Sequence, residues 1–293
     1  MSARTSTASA PLFYNADAKK EDQGEFKNWL TKSVKWSYTY PVTFSGAKNV
    51  AKSIRAISSY FLLWFTSSLE AKGESGRKTL AGAKVINSFA KNAKNLIAFF
   101  SIPELTAKAV IAIQESLSTV LGRTVFGAAP LKSKTKAQTA FKAVMSANEV
   151  LAPVCDSITM GNDLKVLGLG STAMKAVGGI NNGSLFVASA VQTPKSIVHI
   201  WNNLPHEGEV DAKTAQGQRK EVLVSLADLA KWVSYLSLST IGLVGLIVMG
   251  IPAWIGLTMA TSALFFSIVG AYCKDVLSGP KQEPRGWLPV AMA

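Results

Sequence analysis

The sequence predicts an all-α protein, an amphipathic helical bundle followed by a C-terminal two-helix transmembrane hairpin. Three observations carry this. From Trp232 to Cys273 there are 42 consecutive residues without Asp, Glu, Lys or Arg. Upstream, apolar residues recur every three or four positions and almost nowhere alternate as a strand requires. The charge is also lopsided: residues 1–150 hold 21 basic against 9 acidic residues, and residues 151–293 hold 10 against 9.

Taken in order, Met1 to Asn15 is rich in Ser, Thr and Ala and lacks the apolar core of roughly 7–15 residues that a secretory signal needs. It reads as a flexible leader that another export route can use. Glu25 to Tyr40 mixes Phe26, Trp29, Leu30, Trp36, Tyr38 and Tyr40 with basic residues, which suits an interfacial helix closed by Pro41. Val50, Ile54, Ile57, Phe61 and Trp64 then form one helical face, with Lys48, Lys52 and Arg55 on another. The uncharged stretch from Ala56 to Leu69 is too short to span a bilayer comfortably.

After a polar break at Lys72–Lys78 comes a second amphipathic segment. Ile86, Phe89, Ala93, Leu96, Ile97 and Phe100 form its apolar side, and Lys84, Asn87, Lys91, Lys94 and Asn95 its polar side. Both segments begin with Gly-Ala-Lys (Gly46–Lys48 and Gly82–Lys84), the one trace of an internal duplication. Pro103 is expected to open a further helix through Leu105, Ala109, Ile113, Leu117 and Leu121, since proline is tolerated in a first turn. These apolar stripes are expected to form the core of a bundle.

A basic linker at Lys132, Lys134 and Lys136 precedes a helix over Phe141–Val150. Residues 151–210 are rich in Gly and Ala. Ala176 to Pro194 has spanning length, but the Asn181-Asn182-Gly183-Ser184 sequence at its centre predicts a turn. Leu204–Glu209 reads as a surface loop, and Arg219–Lys231 as a juxtamembrane helix.

The charge-free run is long enough for two spans of about 20 residues. Gly250 and Pro252 mark the turn between its arms. Basic residues flank both ends (Arg219, Lys220 and Lys231 before, Lys274, Lys281 and Arg285 after) and none sits at the turn. Both termini are therefore expected on the cytoplasmic side. The second arm carries small residues at helical spacing, Gly256, Ala260, Ala263, Ser267 and Gly270, and Gly242 and Gly245 offer a similar surface on the first. Trp232, Trp254 and Cys273 complete the predicted anchor, and Cys273 stands where an S-acyl chain could attach, an inert thiol being the ordinary expectation. The resulting division is a polar leader over 1–24, a basic helical domain over 25–150 and a Gly/Ala-rich helical region with a loop over 151–218. The juxtamembrane helix and hairpin follow over 219–274, then an irregular tail over 275–293.

Catalytic patterns are missing. His199 and His206, the only histidines, belong to no HExxH or His/Cys cluster, and no Gly-x-Ser-x-Gly elbow occurs. Gly73–Thr79 lacks the spacing of a phosphate loop, and Gly168–Ala173 lacks the strand and following acid of a dinucleotide turn. Cys155 and Cys273 form no disulfide framework. No enzyme activity, cofactor or metal is expected. A basic half on a membrane-tethered chain points to anionic lipid headgroups, with Lys48, Lys52, Arg55, Lys84, Lys91 and Lys94 as the contact candidates. An unidentified protein partner or a second copy of the chain is the other expected partner. Nucleic acid is disfavoured, because no zinc-finger spacing or RNP-type aromatic signature is present.

The hairpin over Trp232–Cys273, its Gly250-Ile251-Pro252 turn and the leader from Met1 to Pro11 resemble the inclusion membrane (Inc) proteins of chlamydiae. The likeness is one of hydropathy pattern and covers about a fifth of the chain. It implies type III secretion, insertion into a vacuole membrane with both ends facing host cytosol, and an effector role, with no shared catalytic residues. The chain departs from the pattern in placing most of its length before the hairpin. In architecture it is also similar to pore-forming colicin domains, whose amphipathic helices, here residues 46–121, sheath a hydrophobic hairpin. A third expectation is a membrane-shaping protein whose amphipathic helices wedge into one leaflet.

Overall fold

The computed structural model describes residues 16–131, 135–204, 212–246, 248 and 251–277. Among these lie seven α-helices: α1 (Ala16–Thr39), α2 (Phe44–Glu70), α3 (Glu74–Leu121), α4 (Lys136–Asp163), α5 (Ser171–Asn203), α6 (Ala212–Val244) and α7 (Ala253–Tyr272). A 3₁₀ turn at Tyr40–Val42 joins α1 to α2, and α7 continues into a π-helical turn at Cys273–Leu277. The described residues contain no strand, only one isolated bridge between Val125 and Ala128.

Local chemistry explains several boundaries. The Thr43 hydroxyl caps α2 by accepting from the Gly46 amide at 3.0 Å. Thr135 and Gln138 form a reciprocal capping box at the start of α4. The α2–α3 turn is tight: a methyl group added at Gly76 would lie 1.7 Å from the Leu69 carbonyl oxygen, so only glycine fits.

Each helix from α2 onward packs against the next, and α7 returns to pack against α2. Contacts fix the antiparallel order: Asn87 to Ser59 (α3 to α2), Lys94 to Asp156 (α3 to α4), Asn148 to Ser184 (α4 to α5) and His199 to Ser225 (α5 to α6). Tyr60 to Thr258 closes the cycle between α2 and α7. α1 lies against the end of α7. Trp36 stacks on Tyr40 at 4.4 Å and meets Tyr272 edge-on at 5.2 Å, and its indole N–H donates to Asp275 at 3.1 Å.

The interior inverts the expected pattern. The largest side chains that are fully buried are Asn95, Thr139, Ser118, Ser189 and Ser239, and the buried apolar residues are mainly alanines. The predicted core stripes face outward instead: Ile57 is 70% exposed, Trp64 69%, Phe89 72% and Phe100 61%. On α2 and α3 most of the polar face turns inward, with Arg55 and Lys84 left exposed. Ala109, Ala112 and Ser116 are buried on the lower part of α3, while Ile113, Leu117 and Leu121 are exposed. Periodicity identified the two faces correctly and assigned the wrong one to the interior. Small residues let helices approach closely, and a buried hydroxyl bonds back to its own helix, as Ser189 does to the Leu185 carbonyl at 2.7 Å.

Three further expectations are corrected. Pro103 does not open a helix; it lies inside the 48-residue α3. Its ring is exposed, so the local loss of one backbone bond is tolerated at the surface. Asn182-Gly183 does not form a turn either, because α5 runs unbroken through it. There Asn182 fills the notch left by Gly242 on α6, where an added Cβ would sit 2.5 Å from its amide nitrogen. Packing between α5 and α6 overrides the local turn preference. Helix α1 also begins at Ala16, ahead of the expected start at Glu25.

Candidate functional site

The membrane-directed features come first. Among the described residues, three helices are long and apolar enough to cross a membrane: Glu74–Leu121, Gly217–Val244 and Ala253–Val276. The last two are the arms of the predicted hairpin, and the first is a span candidate that the sequence reading missed. Its apolar stretch from Leu96 to Ile113 is interrupted by Glu104 and Lys108, which pair on one turn at 2.6 Å.

The small-residue stripe is only partly at an interface. Ala263 and Gly270 are buried, and Gly270 lies in ordinary contact with Ala227 and Asp228 of α6. Ala260 and Ser267 are half-buried, and a Cβ added at Gly256 would meet open space. Gly242 faces α5 rather than the other arm, and Gly245 lies near Ile251. Trp232 is half-buried beneath the Lys231 ammonium at 4.7 Å, Trp254 is exposed, and Pro252 precedes the first turn of α7. Cys273 is buried. Gly250 lies outside the described residues.

The six basic candidates divide. Arg55 and Lys84 are exposed. Lys48, Lys52, Lys91 and Lys94 are drawn into a polar seam between α2, α3, α4 and α6. Lys94 pairs with Asp156 at 2.7 Å, and both side chains are only 14% exposed. One helical turn earlier, Lys91 pairs with Asp163 at 2.5 Å. Lys52 donates to the Tyr235 hydroxyl at 3.2 Å and lies 5.7 Å from that ring's centre. Next to Lys48, the buried Asn49 amide donates to the Tyr40 hydroxyl at 2.6 Å. Lys48 and Lys94 are each within electrostatic range of Asp156 and Lys52.

Burial, and secondarily the neighbouring Lys52, push the Lys48 pKa below the ordinary lysine range, with Asp156 opposing. Lys94 and Lys48 therefore draw on one carboxylate, with the Lys52 ammonium beside them. Asn92 and Asn95 add buried amide oxygens without a hydrogen-bond partner among the described residues. The sequence reading missed Asp156, Asp163 and Tyr235. A signal existed: the two carboxylates are seven residues apart, on one face of a helix, matching lysines three apart on another.

Elsewhere the polar contacts are structural. His199 Nδ1 lies 2.6 Å from Ser225 Oγ, but that hydroxyl donates to the Glu221 carbonyl at 2.9 Å. The direction of the His199–Ser225 bond depends on the histidine tautomer, and the Asn203 amide nitrogen lies 3.3 Å from the same Nδ1. The described residues hold no cluster of His, Cys, Asp or Glu able to bind a metal.

No protein-family model, curated protein or solved structure matches this chain. Its chemistry must be read from its own residues: an apolar exterior, a seam with excess positive charge, and exposed cations at Arg55 and Lys84.

Proposed function

We propose that the chain is a non-enzymatic integral membrane protein, anchored by the α6–α7 hairpin and presenting its basic helices to anionic lipid or a cytosolic protein partner. One observation carries this reading. Small and polar side chains occupy the interior, while Trp64, Phe89, Phe100, Trp254 and Phe265 face outward. In water such an exterior is costly, at about 25 cal/mol per Å² of apolar surface left wet, whereas hydrocarbon is its natural solvent. The charge-free run of the two arms supports the same placement. In this reading both termini lie on the cytoplasmic side. The hydropathy likeness to inclusion membrane proteins extends it to a secreted effector in a vacuole membrane.

A second reading has its own support. α6 packs between α5 and α7, and α7 packs between α6 and α2, so the hairpin is part of the bundle rather than set apart from it. This arrangement favours a colicin-like protein whose outer helices open to release the hairpin, or a membrane-remodelling one. Alkaline-carbonate extraction of membranes holding the full chain separates the readings. Retention in the pellet is expected of a constitutive anchor. A monodisperse protein in the soluble fraction would overturn that reading in favour of the colicin-like one.

A further inference from the structure

The polar seam holds more positive charge than it can neutralise. Lys91 and Asp163 match one to one. At the next turn Lys94 pairs with Asp156, and Lys48 and Lys52, one turn apart on α2, lie within electrostatic range of Lys94, so three cations stand beside one paired carboxylate, an excess of two positive charges. Lys48 makes no hydrogen bond or ion pair at its ammonium group among the described residues, although Lys52 and Lys94 are both engaged. A desolvated ammonium without a partner is costly, so a site of this kind favours a counter-anion.

We propose that Lys48, Lys52 and Lys94 form a binding site for a phosphate group of charge near −2. The lysines supply point-charge donors from α2 and α3, and Tyr235 adds a hydroxyl from α6. A phosphate or phosphomonoester carries roughly −1.5 to −2 at neutral pH, matching the excess. At that charge inorganic phosphate keeps one P–OH donor and a monoester none, so the charge is the feature the two share. A carboxylate or halide does not match that charge. Free phosphate and the phosphomonoester headgroup of a lipid share the required chemistry. The site lies within the chain's own packing, so it stands apart from whether the hairpin crosses a bilayer.

The test uses the full chain purified in a neutral detergent. Inorganic phosphate is titrated calorimetrically in one arm. In the other, the protein is reconstituted into vesicles of phosphatidylcholine with or without phosphatidic acid, and its thermal stability is followed. Saturable binding of phosphate alone identifies a free ligand, and stabilisation by phosphatidic acid alone identifies a headgroup. Lys48→Met with Lys52→Met is expected to weaken the positive arm by about tenfold or more, since each removes a charge-assisted bond. Arg55→Gln with Lys84→Gln should leave the calorimetric titration with inorganic phosphate unchanged. Asp156→Asn is the decisive variant: it raises the excess charge and should tighten binding even as it loosens the fold. It also keeps the proposal testable if the double lysine variant does not fold. No saturable response in either arm would overturn the site, as would weaker binding by folded Asp156→Asn.

Discussion

Gly242 and Lys48 show how single residues set the inverted interior. A side chain at Gly242 meets the Asn182 amide, so Gly242→Leu should force α5 and α6 apart at about 1–3 kcal/mol, the usual cost of overpacking. Melting in detergent measures it, and Asn182→Ala in the same chain should recover part of the loss. Lys48 acts through charge. Its folded-state pKa is depressed, so below that value the folded chain carries the full cost of a buried ammonium. Between that value and the ordinary lysine pKa the unfolded chain binds the proton more tightly, and stability rises with pH. Lys48→Met should therefore raise the melting temperature at pH 7 in phosphate-free buffer, with the gain shrinking as the pH approaches the ordinary lysine value. Asp156→Ala has the opposite sign. It strands the half-buried Lys94 and should cost about 3–5 kcal/mol.

At the scale of the helices, α7 offers the sharpest test of the anchor. Leu257→Arg places a cation within its uncharged run, at about 2.5–3.5 kcal/mol if that position lies at the bilayer centre. The variant should shift toward the alkaline-carbonate supernatant, and unchanged retention would argue against α7 as a span. The two arms were legible in the sequence because an uncharged run of that length has few other uses. The amphipathic stripes of α2 and α3 were legible as stripes only. The spacing of Ile57, Trp64, Phe89 and Phe100 defines a face and says nothing of whether water or lipid lies outside it. The continuity of α3 through Pro103, and of α5 through Asn182-Gly183, was hidden for another reason. Turn and breaker preferences are local, and neighbouring helices overrode them.

Across the whole molecule, the seam reverses the meaning of the basic half. Composition placed its lysines together as a surface for anionic lipid, yet four of the six candidates are committed inside the bundle's contacts and two are exposed. In the proposed function, lipid attraction would rest on Arg55 and Lys84 together with the other outward cations, such as Lys78 and Arg77. Changing Arg55 and Lys84 to Glu should reduce flotation with anionic vesicles at low salt and matter little at high salt, where screening is short-ranged. Flotation insensitive to both would remove the surface-charge part of the proposed function. The contact partners of the seam were not readable from composition, because they join residues 62 and 183 positions apart in the chain.

The clasp between α1 and the end of α7 links residues 239 positions apart. Trp36 and Ser33 leave the ribosome well before Tyr272 and Asp275. At roughly 5–20 residues per second, the first helix waits on the order of 10–50 seconds for its partner. During that interval Trp36 has its stack on Tyr40 but not the Tyr272 and Asp275 contacts that close the clasp. Closure of the clasp therefore has to wait until the end of α7 has been made.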